Sequence, residues 1–106
     1  MTVTRKYWTD GPDARYGVVE RVYVNNVVHA DRIITKSMLY LWHTNCHPDS
    51  NPYTEHDIAV LENEENSYFI PTTKCKARKI LGLAKWPADT DSANWVEPTN
   101  EQAQAS

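Results

Sequence analysis

The chain has little cysteine, little glycine and a single phenylalanine among its 106 residues. Two cysteines, Cys46 and Cys75, form at most one disulfide, which excludes a disulfide-rich scaffold. Three glycines leave no glycine-rich loop that would supply an oxyanion hole, so nucleophilic catalysis by Cys46 beside His47 is not predicted. The longest apolar run, residues 38–42, is far too short to span a bilayer. We therefore predict no enzymatic activity and no membrane interaction.

The sequence also lacks an apolar segment after Met1 and an excess of basic residues. Without a secretory signal the thiols are expected to stay reduced, which predicts an intracellular protein. The net charge of −3 argues against a chain that coats nucleic acid by bulk attraction. The remaining composition, 41% hydrophobic and 24% charged, is ordinary for one globular domain with a single core.

The β-branched and large apolar residues of the first half are concentrated between positions 16 and 42. Val18–Val24 alternates as a half-buried strand does, with Val18 and Val22 on one side and Val19 and Tyr23 on the other. The pair that follows, Asn25-Asn26, is typical of a reversal, because asparagine tolerates positive φ better than most residues. A β-hairpin is predicted here.

The register of this hairpin stays open between two alternatives. A two-residue turn places Glu20 opposite Asp31. A three-residue loop instead pairs Glu20 with Arg32 and Arg21 with Asp31, but it risks a left-handed conformation at Val27. In either case Glu20 interrupts an apolar side and is expected near a strand end or a solvated patch.

The middle of the chain is predicted to continue the β pattern. Residues 33–42 are interpreted as a strand broken near position 36, with a helix as the alternative, and residues 43–56 as a long, functional loop. Residues 58–61 and 67–70 are predicted to form a second hairpin, which Pro71 ends. Residues 74–80 alternate as a strand with Cys75 and Ala77 inward, although a helix capped by Thr72 or Thr73 competes with this interpretation.

These elements predict a mainly β fold, a small distorted β-barrel built from hairpins with room for one short helix. The domain is expected to cover residues 1–87, with Tyr7 and Trp8 in a short edge segment and a turn at residues 10–13. Residues 88–106 are polar and aperiodic, which predicts a disordered tail, apart from Trp95-Val96, which could dock on the domain or on a partner. The oligomeric state is left open.

Five short motifs between residues 42 and 76 resemble, in their order, the latter part of a bromo-adjacent homology (BAH) domain. They are Trp42, His47-Pro48-Asp49, His56-Asp57-Ile58, Ile70-Pro71 and Lys74-Cys75-Lys76. The chain departs from the family in its short length, in His47 where arginine is usual and in Thr73 where glycine is usual. The resemblance implies a distorted β-barrel that acts as a non-enzymatic protein-interaction module in nuclear chromatin, with a histone tail as one kind of partner.

The predicted partner site lies in the 43–56 loop and on neighbouring rings, because aromatic faces and carboxylates both attract cationic side chains. Its residues are Tyr40, Trp42, Asp49, Tyr53, Asp57 and Tyr68.

A nucleic-acid interface is the alternative function. It would use the basic residues Lys74, Lys76, Arg78 and Lys79. On a strand, alternate side chains project from one face about 6–7 Å apart, which suits a phosphate backbone. Exposed lysines on an edge strand also prevent edge-to-edge aggregation, so the pattern has a purely structural explanation.

A zinc-stabilised interaction domain is the second alternative. The residues that would bind the metal are His43, Cys46, His47 and His56. Structural zinc sites usually combine two close ligand pairs, and only His43 with Cys46 has a suitable spacing. We therefore predict neither a metal nor any other cofactor.

Overall fold

The computed structural model describes residues 1–15, 17–35, 42–43, 55–66, 68–91, 95 and 97–98. The elements are β1 (Val3–Asp10), β2 (Val18–Val24), β3 (Val27–Ile34), β4 (Trp42–His43), α1 (Glu55–Ala59), β5 (Phe69–Thr72), α2 (Lys74–Leu81) and a short 3-10 helix (Asp89–Asp91). The five strands form one antiparallel sheet in the order β4-β3-β2-β1-β5. The predicted mainly β fold is confirmed. Within the described residues the sheet is open, with β4 and β5 at opposite edges, so it fits a barrel only loosely.

Apolar layers cover both faces of the sheet. One cluster contains Trp8, Val19, Ile33, Leu61 and Phe69, and Ile58 of α1 packs against it. The cluster on the other face contains Ala14, Val18, Ile34, Ala77 and Leu81, which brings α2 onto the sheet. β2 is buried along its whole length because both layers meet at this central strand.

The hairpin between β2 and β3 combines features of both predicted registers. Asn25 and Asn26 form a two-residue turn, with φ of 50° and 68°. The register shifts between Val22 and Tyr23, because β3 contains one extra residue, His29, at a β-bulge.

Beyond this bulge Glu20 lies opposite Arg32, and Arg21 lies opposite Asp31. The two-residue turn thus coexists with the charge pairing that a three-residue loop was predicted to require. Glu20 is fully buried, so its predicted place near a solvated patch is wrong.

The predicted second hairpin is wrong. Ile58 lies in α1, where it packs onto the sheet, and β5 pairs with β1 instead of with residues 58–61. Pro71 does not end the ladder but lies within β5, opposite Trp8. It is tolerated there because β5 is an edge strand, on which a missing N–H need not break a ladder hydrogen bond. β1 is itself an interior strand, so the predicted edge segment at Tyr7 and Trp8 is also wrong.

Residues 74–81 adopt the helical alternative. The Thr73 hydroxyl caps α2 by accepting a hydrogen bond from the Lys76 N–H at 3.3 Å. Gly82 ends the helix in a left-handed conformation, φ 73°. Ala77 is buried as predicted, but Cys75 is exposed because helical rotation carries it away from the sheet.

Part of the predicted tail packs on the domain. The Ala88 carbonyl accepts a hydrogen bond from Arg32, and Asp89 forms an ion pair with Arg5. The Trp95 ring lies 5.7 Å from the His29 ring, centroid to centroid. These contacts extend beyond the boundary predicted after residue 87, and residues 99–106 lie outside the described part of the chain.

Candidate functional site: a cleft beside an open strand edge

A cleft of about 660 Å³ lies beside β1. Its walls are residues 5–8 of β1, part of the turn at residues 61–66, Phe69 and Pro71 of β5, and residues 72–74 at the start of α2. The cleft thus forms where β5 leaves the sheet to become a helix, beside a strand that continues past it.

The hydrogen bonds of β1 determine which of its backbone groups face this cleft. The Asn25 N–H donates to the Thr2 carbonyl at 2.8 Å, and the Asp10 N–H donates to the Gly17 carbonyl at 3.3 Å. Even-numbered residues at both ends therefore bond toward β2. Because antiparallel hydrogen bonding alternates along a strand, the odd-numbered residues direct their N–H and C=O groups toward the opposite side.

β5 occupies only part of that side. It pairs with residues 7–10 of β1, and no described strand pairs with residues 3–6 there. The N–H and C=O groups of Val3 and Arg5 are consequently directed at an open edge. Burial changes at the same point: Trp8, Thr9 and Asp10 are buried, whereas residues 3, 4 and 6 are exposed.

A charged cluster borders the cleft on one face of the sheet. Glu62 accepts from Lys6 and from Arg21, each at 3.1 Å, and Arg21 also pairs with Asp31 at 2.7 Å. Burial alone would raise the pKa of Glu62, but the Tyr23 hydroxyl and the two cations outweigh it and lower that pKa. The Glu62 carboxylate is therefore held charged between Lys6 and Arg21.

A second cluster lies on the other face, around Glu20. Arg32 donates two hydrogen bonds to Glu20, and Arg5 and the Trp86 indole N–H donate to it at 3.2 Å each. Burial and the Glu20 carboxylate raise the pKa of Tyr7 to about 12. Because Glu20 and Arg32 are fully buried and well supplied with partners, we interpret the cluster as structural.

Few of the predicted partner-site residues can be placed. Tyr40, Asp49 and Tyr53 lie outside the described residues, and Trp42 lies in β4 opposite Arg32. Asp57 is half-buried in α1, and Tyr68 is exposed, with its ring 5.1 Å from that of Phe69. Neither Asp57 nor Tyr68 lines the cleft.

The predicted strand geometry of the basic residues is wrong, because all four lie on α2. Successive residues of a helix are rotated by about 100°, so Lys74, Lys76 and Lys79 do not form one row. The Arg78 guanidinium donates to the Leu83 and Ala84 carbonyls and holds the end of its own helix. Lys74 alone of the four lies at the cleft.

The described residues contain no group of three or more His, Cys, Asp or Glu side chains that could hold a metal ion. His43 lies in β4, and His56 is exposed in α1. Cys46 and His47 lie outside the described residues, so the zinc alternative stays a prediction.

The cleft was not predicted from the sequence because β1 was not predicted as a full strand. A usable signal was present, since Val3, Thr4, Tyr7, Trp8 and Thr9 are all residue types that favour strands. The cleft also depends on where β5 ends relative to β1, and that is a property of the assembled sheet.

No protein family, curated protein or solved structure was found to match the chain. The likeness to BAH domains therefore stays a prediction. In the part of the chain that the structure describes, no helix is long and apolar enough to cross a membrane.

Proposed function

We propose that the protein is a non-enzymatic module that binds an extended segment of a protein partner beside β1. The observation that carries this proposal is the open edge at Val3 and Arg5, which extends from a cleft bordered by aromatic and charged side chains. An added strand would continue the line of β5 along β1.

Strand addition supplies affinity through main-chain hydrogen bonds and specificity through alternate side chains. The open edge spans about 13 Å over residues 3–6, at about 3.3 Å per residue. Val3 and Arg5 together offer two donors and two acceptors, each hydrogen bond contributing about 0.5–1.5 kcal/mol net. Side chains of the partner that enter the cleft against Trp8 and Phe69 would supply apolar contact as well.

The chromatin-associated role and histone-like partner that the BAH resemblance implies stay predictions. They depend on the 43–56 loop, most of which lies outside the described residues. The nucleic-acid alternative also stays a prediction. If Lys74, Lys76 and Lys79 contact phosphates, duplex affinity will fall steeply with salt, and replacing the lysines with glutamine will reduce that dependence.

Selection of random displayed peptides on the full chain tests the proposal, with Val3→Pro as the decisive variant. Proline removes the N–H that faces the open edge, at a strand start where it is tolerated. Val3→Ala is the matched control, because it shortens the side chain but keeps the N–H. We expect selected peptides to bind the wild type and Val3→Ala and to lose affinity for Val3→Pro.

Hydrogen exchange locates the contact independently. Bound peptide should slow exchange of the Val3 and Arg5 amides, while the Thr4 and Lys6 amides, which face β2, should change little. Peptides that bind Val3→Pro as well as the wild type, or a selection that yields no binder, would refute the proposal.

A further inference from the structure

We infer that the segment bound beside β1 is acidic, with carboxylate side chains that meet the positive charges of Lys6 and Lys74. This inference rests on the proposed function and adds the chemistry of the partner. Cations outnumber anions among the residues that line the cleft, which are Arg5, Lys6 and Lys74 against one carboxylate, Glu62.

The three cations differ in how strongly other groups hold them. Arg5 is engaged on the far face of the sheet, where Asp89 binds it through two hydrogen bonds of 2.8 and 2.9 Å. This pairing raises the pKa of Arg5 despite burial and fixes its guanidinium away from a ligand. Arg5 is therefore neutralised within the fold by Asp89 and Glu20 and is not counted among the groups that bind the ligand.

Lys6 is available for a second partner. Its side chain is 62% exposed, and its ion pair with Glu62 is a surface pair of the kind that contributes little to stability. Glu62 also pairs with Arg21, so it does not depend on Lys6 to stay neutralised. A carboxylate from a ligand can share the Lys6 ammonium without leaving Glu62 unpaired.

Lys74 supplies the second contact. It is exposed at the cleft, and no ion pair joins it to any residue that the structure describes. The first turn of α2 contains no acidic residue, so the positive end of the helix dipole reinforces the charge of Lys74.

The pleat of the sheet indicates on which face an acidic side chain of the bound segment would lie. Lys6 and Trp8 project to the face that carries Glu62 and Phe69. In an added antiparallel strand, the residue opposite Lys6 projects to that same face with its Cβ about 5 Å away. Opposite charges at such a position attract, whereas a lysine there would meet like charge.

The test begins with the composition of the selected peptides that need the Val3 N–H. We expect them to be enriched in Asp and Glu, and replacing those residues with Asn and Gln should weaken binding roughly three- to tenfold. Lys6→Gln/Lys74→Gln should give a similar loss and reduce the salt dependence. Lys76→Gln/Lys79→Gln is the matched control, since it removes the same charge from exposed lysines outside the cleft.

The outcomes separate this inference from the proposed function. Peptides that need the Val3 N–H but are neutral or basic, or that bind Lys6→Gln/Lys74→Gln normally, would overturn the inference and leave edge binding intact. Selected peptides with a basic, histone-like consensus would likewise overturn the inference and leave edge binding intact. Sedimentation of the protein without peptide tests whether a second copy of the chain occupies the edge. Self-association that Val3→Pro abolishes would assign the edge to a second copy and overturn the acidic-peptide inference. Loss of dependence on Val3 would overturn both.

Discussion

Gly17 and Gly82 both have positive φ, but their surroundings differ. At Gly17, φ is 144° and an added Cβ would lie 2.5 Å from the backbone oxygen of Ile34. At Gly82, φ is 73° and an added Cβ would meet nothing within 4 Å. Gly17 therefore permits two strands to approach closely, whereas Gly82 only ends a helix.

We expect Gly17→Ala to lower the free energy of unfolding by about 2–3 kcal/mol, because the methyl group adds a backbone clash to an unfavourable φ. Gly82→Ala should cost only about 1 kcal/mol, the conformational penalty alone. Urea titration of both variants measures the two losses. Equal losses would mean that the contact with Ile34 relaxes at no cost.

For single residues, the sequence predicted local features and missed those that depend on partners distant in the chain. The Asn25-Asn26 turn was predictable because its positive φ values arise within the turn itself. The pairing of Glu20 with Arg32 was one of the two registers considered, but the burial of Glu20 also needs the Trp86 indole, which lies 66 residues away in the chain. Carboxylates are rarely buried unless paired, and the pairing here is made by the fold.

The sequence of α2 supports two structures. Its residues alternate basic and apolar, as a strand does, yet Ala77 and Leu81 are also four positions apart and form one buried stripe. The cap at Thr73 and the stop at Gly82 favour the helix, and packing of the stripe against the sheet stabilises it.

The assignment of Thr73 as the N-cap of α2 can be tested by comparison with Thr72. Thr73→Ala should lower the free energy of unfolding by about 1 kcal/mol, because the Lys76 N–H loses its acceptor. Thr73→Ser should keep most of that stability. Thr72→Ala is the control, since Thr72 lies in β5 opposite Tyr7 and makes no cap. A larger loss from Thr72→Ala, measured by chemical unfolding with helical circular dichroism, would contradict the assignment of the cap.

The predicted second hairpin failed for a related reason. Short apolar runs at residues 58–61 and 67–70 do not distinguish a strand from one turn of buried helix. The structure uses Ile58 and Leu61 to cover Trp8, while β5 reaches across to pair with β1. Only the position of β1 decides between these arrangements.

Across the whole molecule, the buried charge cluster joins segments that are distant in sequence. Arg32 connects Glu20 of the neighbouring strand with the Pro87 and Ala88 carbonyls, and Arg5 connects Glu20 with Asp89. Segment 86–89 is thereby held on the sheet, where its residues line a small cavity of about 310 Å³ together with Arg5 and Lys74. The open side of β1 continues from the larger cleft instead, which leaves it accessible for the proposed partner.

The buried charge cluster predicts that the same carboxylate-to-amide change will destabilise the protein by different amounts at Glu20 and at Asp89. Glu20→Gln should lower the free energy of unfolding by about 3–5 kcal/mol, because the buried Arg32 loses the Glu20 carboxylate that pairs with it. Asp89→Asn makes the same carboxylate-to-amide change where the Arg5 and Asp89 side chains are each 27% exposed, and should cost about 1 kcal/mol or less. Urea unfolding followed by tryptophan fluorescence measures both losses. Similar small losses would mean that water reaches Arg32 and that burial of the Glu20–Arg32 pair does not govern stability. A larger loss for Asp89→Asn would mean that the contact of segment 86–89 with the sheet contributes more to stability than the Glu20–Arg32 pair.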